Sequence, residues 1–138
     1  MIYHHNRIKL RAGVSEADRN TALESLRTQG REIPAVKHFV VGRDIGGDFE
    51  YGAVFAIEDL DGFWEYLVHP AHLNTDRVGL PLVDSFVSYD TTDDDDPEMA
   101  EKIAALHARR YAEIADVRDL VASLPSYTGA AAPEKATS

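Results

Sequence analysis

A chain of 138 residues, 44% apolar and 28% charged, is sized for one globular domain with a modest core. Its net charge of −10 argues against nucleic acid as a partner, and the absence of cysteine excludes disulfides, thiolate metal sites and thiol catalysis. No apolar run approaches the roughly 18 residues of a membrane span, and "MIYHHNRIKL" lacks the basic start and apolar stretch of an export signal. No membrane association and a cytoplasmic location are therefore expected.

The first residues alternate. Ile2, His4, Asn6, Ile8 and Leu10 share one face, with Tyr3, His5, Arg7, Lys9 and Arg11 on the other, which predicts a half-buried strand. Ser15, with Asp18 three residues on, opens a helix expected to run to about Thr28, with Gly30 suiting its end. "AVKHFVVG" (35–42) and "FEYGAVFAI" (49–57) read as strands joined by the glycine-bearing loop 43–48. The second of them sets Phe49, Tyr51, Ala53, Phe55 and Ile57 on one apolar face.

Asp59 or Asp61 can cap a second helix, "DGFWEYLV", with Phe63 and Trp64 as packing bulk. Pro70 disfavours helical geometry at His69, so the helix ends there or restarts with Pro70 in a new first turn. A connector through "LNTDRVGLPL" leads to a fourth strand, "VDSFVSYD" (83–90). The resulting order β-α-β-β-α-β is the ferredoxin-like α+β arrangement. Its sheet has one face covered by helices and one free, which predicts a homodimer.

The acidic run 91–96 reads as a linker, with Asp96 and Pro97 as cap and first turn of an amphipathic helix over 97–125. Residues 90–138 hold 11 acidic and 5 basic side chains, the larger share of the net negative charge. That helix either covers the domain or docks another protein. Residues 126–138 are small and polar and are expected to be a disordered tail.

"EYLVHPAHLN" (65–74) concentrates the possible chemistry. His69 and His72 stand at i, i+3, but Pro70 interrupts the helix that a metal pair would need, and no third ligand has recognisable spacing. Asp93–Asp96 lacks the alternating ligands and glycine of a calcium loop. No metal or cofactor is expected. Tyr66 and His72 are six apart, and a break at Pro70 would fold His72 back toward Tyr66. They are then either an acid–base pair or a core aromatic and a capping residue. His4 points with Ile8 and Leu10 into the interior.

"YHHNRIKL", "GVSEAD", "IPAVKHFVVGRD", "EYLVHPAH" and "VDSFVSYD", in this order and spacing, resemble the Dabb family of stress-responsive dimeric α/β-barrel proteins over about residues 1–90. The resemblance implies a ferredoxin-like subunit that pairs sheet to sheet into a barrel. A plant polyketide cyclase of that family has a catalytic tyrosine and histidine that match Tyr66 and His72, and a first-strand histidine that matches His4. A third-strand histidine of that enzyme is Tyr51 here. The expected function is to bind a hydrophobic, carbonyl-rich small molecule, with cofactor-free, lyase- or cyclase-type proton abstraction by His72 assisted by Tyr66. His4, Tyr51, Phe49 and Phe55 are the expected substrate-binding wall. A non-catalytic, stress-associated ligand-binding dimer is the alternative, and cofactor-independent monooxygenation a third.

Overall fold

The computed structural model describes residues 1–129, 131 and 132. Among these, β1 (Ile2–Leu10), β2 (Val36–Arg43), β3 (Tyr51–Ile57), β4 (Val83–Thr92) and β5 (Ser126–Gly129) form one sheet in the order β2-β3-β1-β4-β5. The central strand, β1, is antiparallel to both β3 and β4, while β5 adds to β4 in parallel. This is a ferredoxin-like α+β fold with one extra edge strand.

The alternation along β1 does what the pattern requires. Ile2, His4, Asn6 and Ile8 are buried under the helices, while Tyr3 and Lys9 are exposed on the outer face. The register sets His4 between Phe55 and Asp90, and Asn6 between Ala53 and Ser88.

The helices are α1 (Glu16–Glu32), α2 (Leu60–Val68), α3 (Pro70–Gly79), α4 (Met99–Glu113) and α5 (Ala115–Ala122). The Ser15 hydroxyl caps α1 by accepting from Asp18 N at 3.1 Å, and Asp59 rather than Asp61 caps α2 through Gly62 N at 2.8 Å. The helix α1 runs past Thr28 and Gly30 to Glu32. Gly30 is no terminator: a Cβ there would lie 2.2 Å from the Phe39 ring, so glycine lets α1 approach β2.

Further elements differ from expectation. The stretch after His72 is not a connector: α3 continues to Gly79, and a short 3-10 turn (Leu80–Leu82) leads into β4. The strand β3 begins at Tyr51 and leaves Phe49 outside it. The helix expected over 97–125 starts at Met99, after a turn in which the Asp96 carboxylate accepts from Glu98 N at 2.9 Å. It also breaks at Ile114 (φ −128°, ψ 80°) into α4 and α5. One apolar stripe serves both pieces, so its spacing carried no sign of the break. The bend lets α4 pack on α2 while α5 packs on α3. Leu80, Tyr111, Val117 and Val121 form a second small core beneath them. Residues 126–129 of the expected tail are strand β5; residues 130 and 133–138 lie outside the described residues.

Candidate functional site

Pro70 decides the geometry of "EYLVHPAHLN". It forces His69 into extended backbone (φ −65°, ψ 138°), which ends α2. The same His69 then caps α3, its ring Nδ1 accepting from Ala71 N at 3.1 Å, with Pro70 as first residue of the new helix. His69 is thereby structural. The turn swings His72 back onto Tyr66, whose ring centroid is 4.4 Å away with the planes 31° apart.

The two side chains meet by ring packing rather than by a phenol–imidazole hydrogen bond. His72 Nδ1–H donates to the Tyr66 backbone carbonyl at 3.1 Å. That bond assigns the tautomer: Nε2 carries the lone pair, and it lies 3.7 Å from Asp76 Oδ2, too far for a hydrogen bond. Burial holds the His72 imidazole well below its ordinary range, and Arg110 adds to the effect. Burial also pushes the Tyr66 phenol up, with the Asn6 amide opposing in part, so the hydroxyl stays a proton donor.

Tyr66 and His72 line a pocket between sheet and helices, with room of about 60 Å³ for water-sized occupants. Ile8, Leu10, Tyr51, Val83 and Phe86 of the sheet face Ala22, Leu23 and Leu26 of α1 across it. Its polar lining includes Asn6, Gln29, Thr75 and Asp76. Gln29 is buried, and its side-chain oxygen has no hydrogen-bond partner among the described residues.

Of the four residues expected to form a substrate-binding wall, Tyr51 lines this pocket, and His4, Phe49 and Phe55 do not. His4 lies behind Tyr66 in a second, more polar recess, its Nδ1 2.7 Å from Asp90 Oδ1 and its ring against Phe63 and Tyr66. Phe55 is fully buried between Phe39 and Tyr66 and supports the site from within the core. Phe49 is removed from the site altogether. It lies half-buried under the Arg7 guanidinium, on the far face of the sheet, because β3 has not yet begun at that position.

Residues not singled out from sequence complete the arrangement. The Arg110 guanidinium pairs with the Asp76 carboxylate, and its Nε donates to the Leu67 carbonyl at 2.7 Å. Burial pushes the Asp76 carboxyl up against the pull of Arg110. The available signal was a polar residue on an otherwise apolar stripe: Gln29 beside Ala22 and Leu26, and His107 and Arg110 beside Ile103. No three His, Asp or Glu side chains among the described residues gather as a metal site.

This fold has relatives. Residues 2–93 match the Stress responsive A/B Barrel Domain family, Dabb, over two thirds of the chain. The chain belongs to the Dabb family. No curated protein matches it in sequence. A dimeric ferredoxin-like protein of unknown function from Thermobifida fusca is similar in structure, with TM-score 0.60 and 22% identity over 66% of this chain and 89% of that one. The hydroxynitrile lyase of Passiflora edulis superposes with TM-score 0.61 and 13% identity, over 69% of this chain and 94% of that one. SnoaB, a cofactor-independent oxygenase from Streptomyces nogalater, gives TM-score 0.55 and 17% identity, over 70% and 95%. At these identities the likeness is one of fold. The Dabb match stops at residue 93, so α4, α5 and β5 form an addition that lies outside it.

Proposed function

We propose that this Dabb protein binds a compact, largely apolar carbonyl compound and moves a proton next to its carbonyl without a cofactor. The observation that carries the reading is His72: its Nδ1 is tied to the Tyr66 carbonyl, which leaves Nε2 as a base beside a pocket walled largely by apolar side chains. In the reaction, Nε2 takes the proton as the C–H bond breaks, and the electron pair moves to the carbonyl oxygen as an enolate. The Tyr66 phenol donates to that oxygen, and the Asp76 carboxylate, 3.7 Å from Nε2, stabilises the imidazolium. The enolate then takes its proton back or attacks a second carbonyl, which gives isomerase-, lyase- or cyclase-type outcomes. The limited room favours a small ketone over a long polyketide.

Support also comes from the hydroxynitrile lyase and the cofactor-independent oxygenase that share the fold. Oxygenation and non-catalytic ligand binding remain the competing readings. The test is deuterium exchange at the carbons flanking the carbonyl of cyclohexanone in D2O, followed by NMR. Exchange should be faster with protein and fall at least tenfold in His72→Gln and Tyr66→Phe. Binding of the ketone with no acceleration of exchange would leave the ligand-binding reading in possession.

We further propose a homodimer through the outer face of the sheet, in a cytoplasmic setting. Tyr3, Val40 and Tyr89 are exposed on that face, an apolar surface suited to a twin. The Thermobifida fusca relative is described as dimeric. No helix among the described residues is long and apolar enough to cross a membrane.

A further inference from the structure

We propose that α4, α5 and β5 complete a second, polar chamber of the site, which takes a neutral hydroxyl or carbonyl group of the ligand with His107 as its hydrogen-bond partner. The proposal rests on the function just given and deepens it by naming what the far end of the ligand must carry.

The chamber and the apolar pocket are neighbours separated by shared walls. Asn6, His72, Asp76, Leu80 and Phe86 line both. On this proposal the shared side chains beside His72 part to admit the ligand, whose far end enters the chamber; its room of about 40 Å³ suits one small polar group. The sheet contributes His4 and Ser88 to the walls. His107, Arg110 and Tyr127 come from the addition that follows the Dabb match.

Most polar groups around the chamber already have partners. His4 is held by Asp90 at 2.7 Å, Ser88 and Tyr127 share a hydroxyl hydrogen bond at 2.6 Å, and Arg110 is bound to Asp76 and the Leu67 carbonyl. His107 differs from these in having no hydrogen-bond partner at either nitrogen among the described residues. Its residue is only 4% exposed. A buried polar group in that state forfeits hydration with nothing in return, so it is uncommon outside functional sites. Its ring packs at 5.6 Å from Phe63 and 6.4 Å from His4, which fixes where its nitrogens stand.

Charge selects the ligand class. Arg110 is matched by Asp76, and burial pushes His107 down to about 3, so the imidazole is neutral at working pH. Among the described residues that line the chamber, the only Asp, Glu, Lys or Arg side chains are Asp76 and Arg110, and these pair with each other. A neutral imidazole offers one donor and one acceptor, and a hydroxyl can answer either.

The experiment compares cyclohexanone with 4-hydroxycyclohexanone, which carries its hydroxyl at the end opposite the ketone, by NMR titration of the full chain. The hydroxy ketone should bind about tenfold tighter, about 1.4 kcal/mol, and it alone should shift the ring 15N signals of His107. In His107→Leu the two affinities should converge. Equal affinities in the unmodified protein, or a preference that survives in His107→Leu, would overturn the chamber assignment and leave the apolar pocket standing. If neither ketone binds, the parent function fails and takes this inference with it. Should His107→Leu not fold, the His107 ring shifts of the unmodified protein decide alone.

Discussion

Burial that outweighs nearby charge keeps an imidazole neutral, and the fold does so at both His72 and His107. The consequence for catalysis is a base that does not switch off near the ordinary histidine midpoint of about 6.5. Ketone exchange should therefore stay level from pH 8 down past 6, and a profile that halves near 6.5 would contradict the environment described for His72. The consequence for stability has the opposite appearance. In the unfolded chain each histidine takes up a proton near pH 6.5, whereas folded His107 does so only near 3. Between those values the unfolded state binds more protons, so stability falls as pH drops. His107 should cost about 2 kcal/mol between pH 7 and pH 5, and His72 acts in the same direction. Urea unfolding at the two pH values should show a smaller loss in His107→Leu than in the parent.

At the scale of elements, the site depends on how closely α1, α3 and α4 approach one another and the sheet. Gly30 marks the approach of α1 to β2, where the Phe39 ring leaves no room for a methyl group. Gly30→Ala should destabilise by about 1–3 kcal/mol through overpacking. A thermal midpoint equal to the parent's would show that Phe39 can turn aside. The Asp76–Arg110 pair locks α3 to α4, and both side chains are nearly inaccessible. Asp76→Ala strands a buried guanidinium and should cost about 3–5 kcal/mol in chemical denaturation, far more than a surface pair would. The hinge between α2 and α3 works differently: His69 and Pro70 stop one helix and start the next within two residues, which aims His72.

For the whole molecule, the sheet has one face under helices and one open. Tyr89 stacks flat on His5 on that open face, with ring centroids 4.5 Å apart, and Val40 stands 61% exposed near the edge. A charge placed there should oppose sheet-to-sheet pairing. Val40→Arg is expected to shift sedimentation from dimer toward monomer without loss of helical circular dichroism; an unmoved dimer would place the contact elsewhere. The fold of this face was legible in advance, because the strict alternation of β1 puts Tyr3, His5, Arg7 and Lys9 on one side. The C-terminal part was less so. Short polar stretches such as "SYTG" carry no strand signal of their own, and β5 exists because β4 offers it an edge.

What the amino-acid order determined by itself is local and periodic: the strands from alternation, the helix starts at Ser15 and at Asp59 or Asp61 from capping, and the turn at Pro70 that brings His72 to Tyr66. Period and cap chemistry are properties of neighbouring residues, so they can be read without a fold. Which polar side chains share a chamber was decided only by tertiary structure. Asp76 of α3 and His107 and Arg110 of α4 line one recess, while Gln29 of α1 lines the neighbouring pocket with Asp76, and neither grouping exists until the helices are packed over the sheet. Phe49 went the other way: its place in the alternation promised the pocket, and the late start of β3 put it under Arg7 instead. Long-range packing sets these outcomes because it chooses among side-chain neighbours that local spacing leaves equally available.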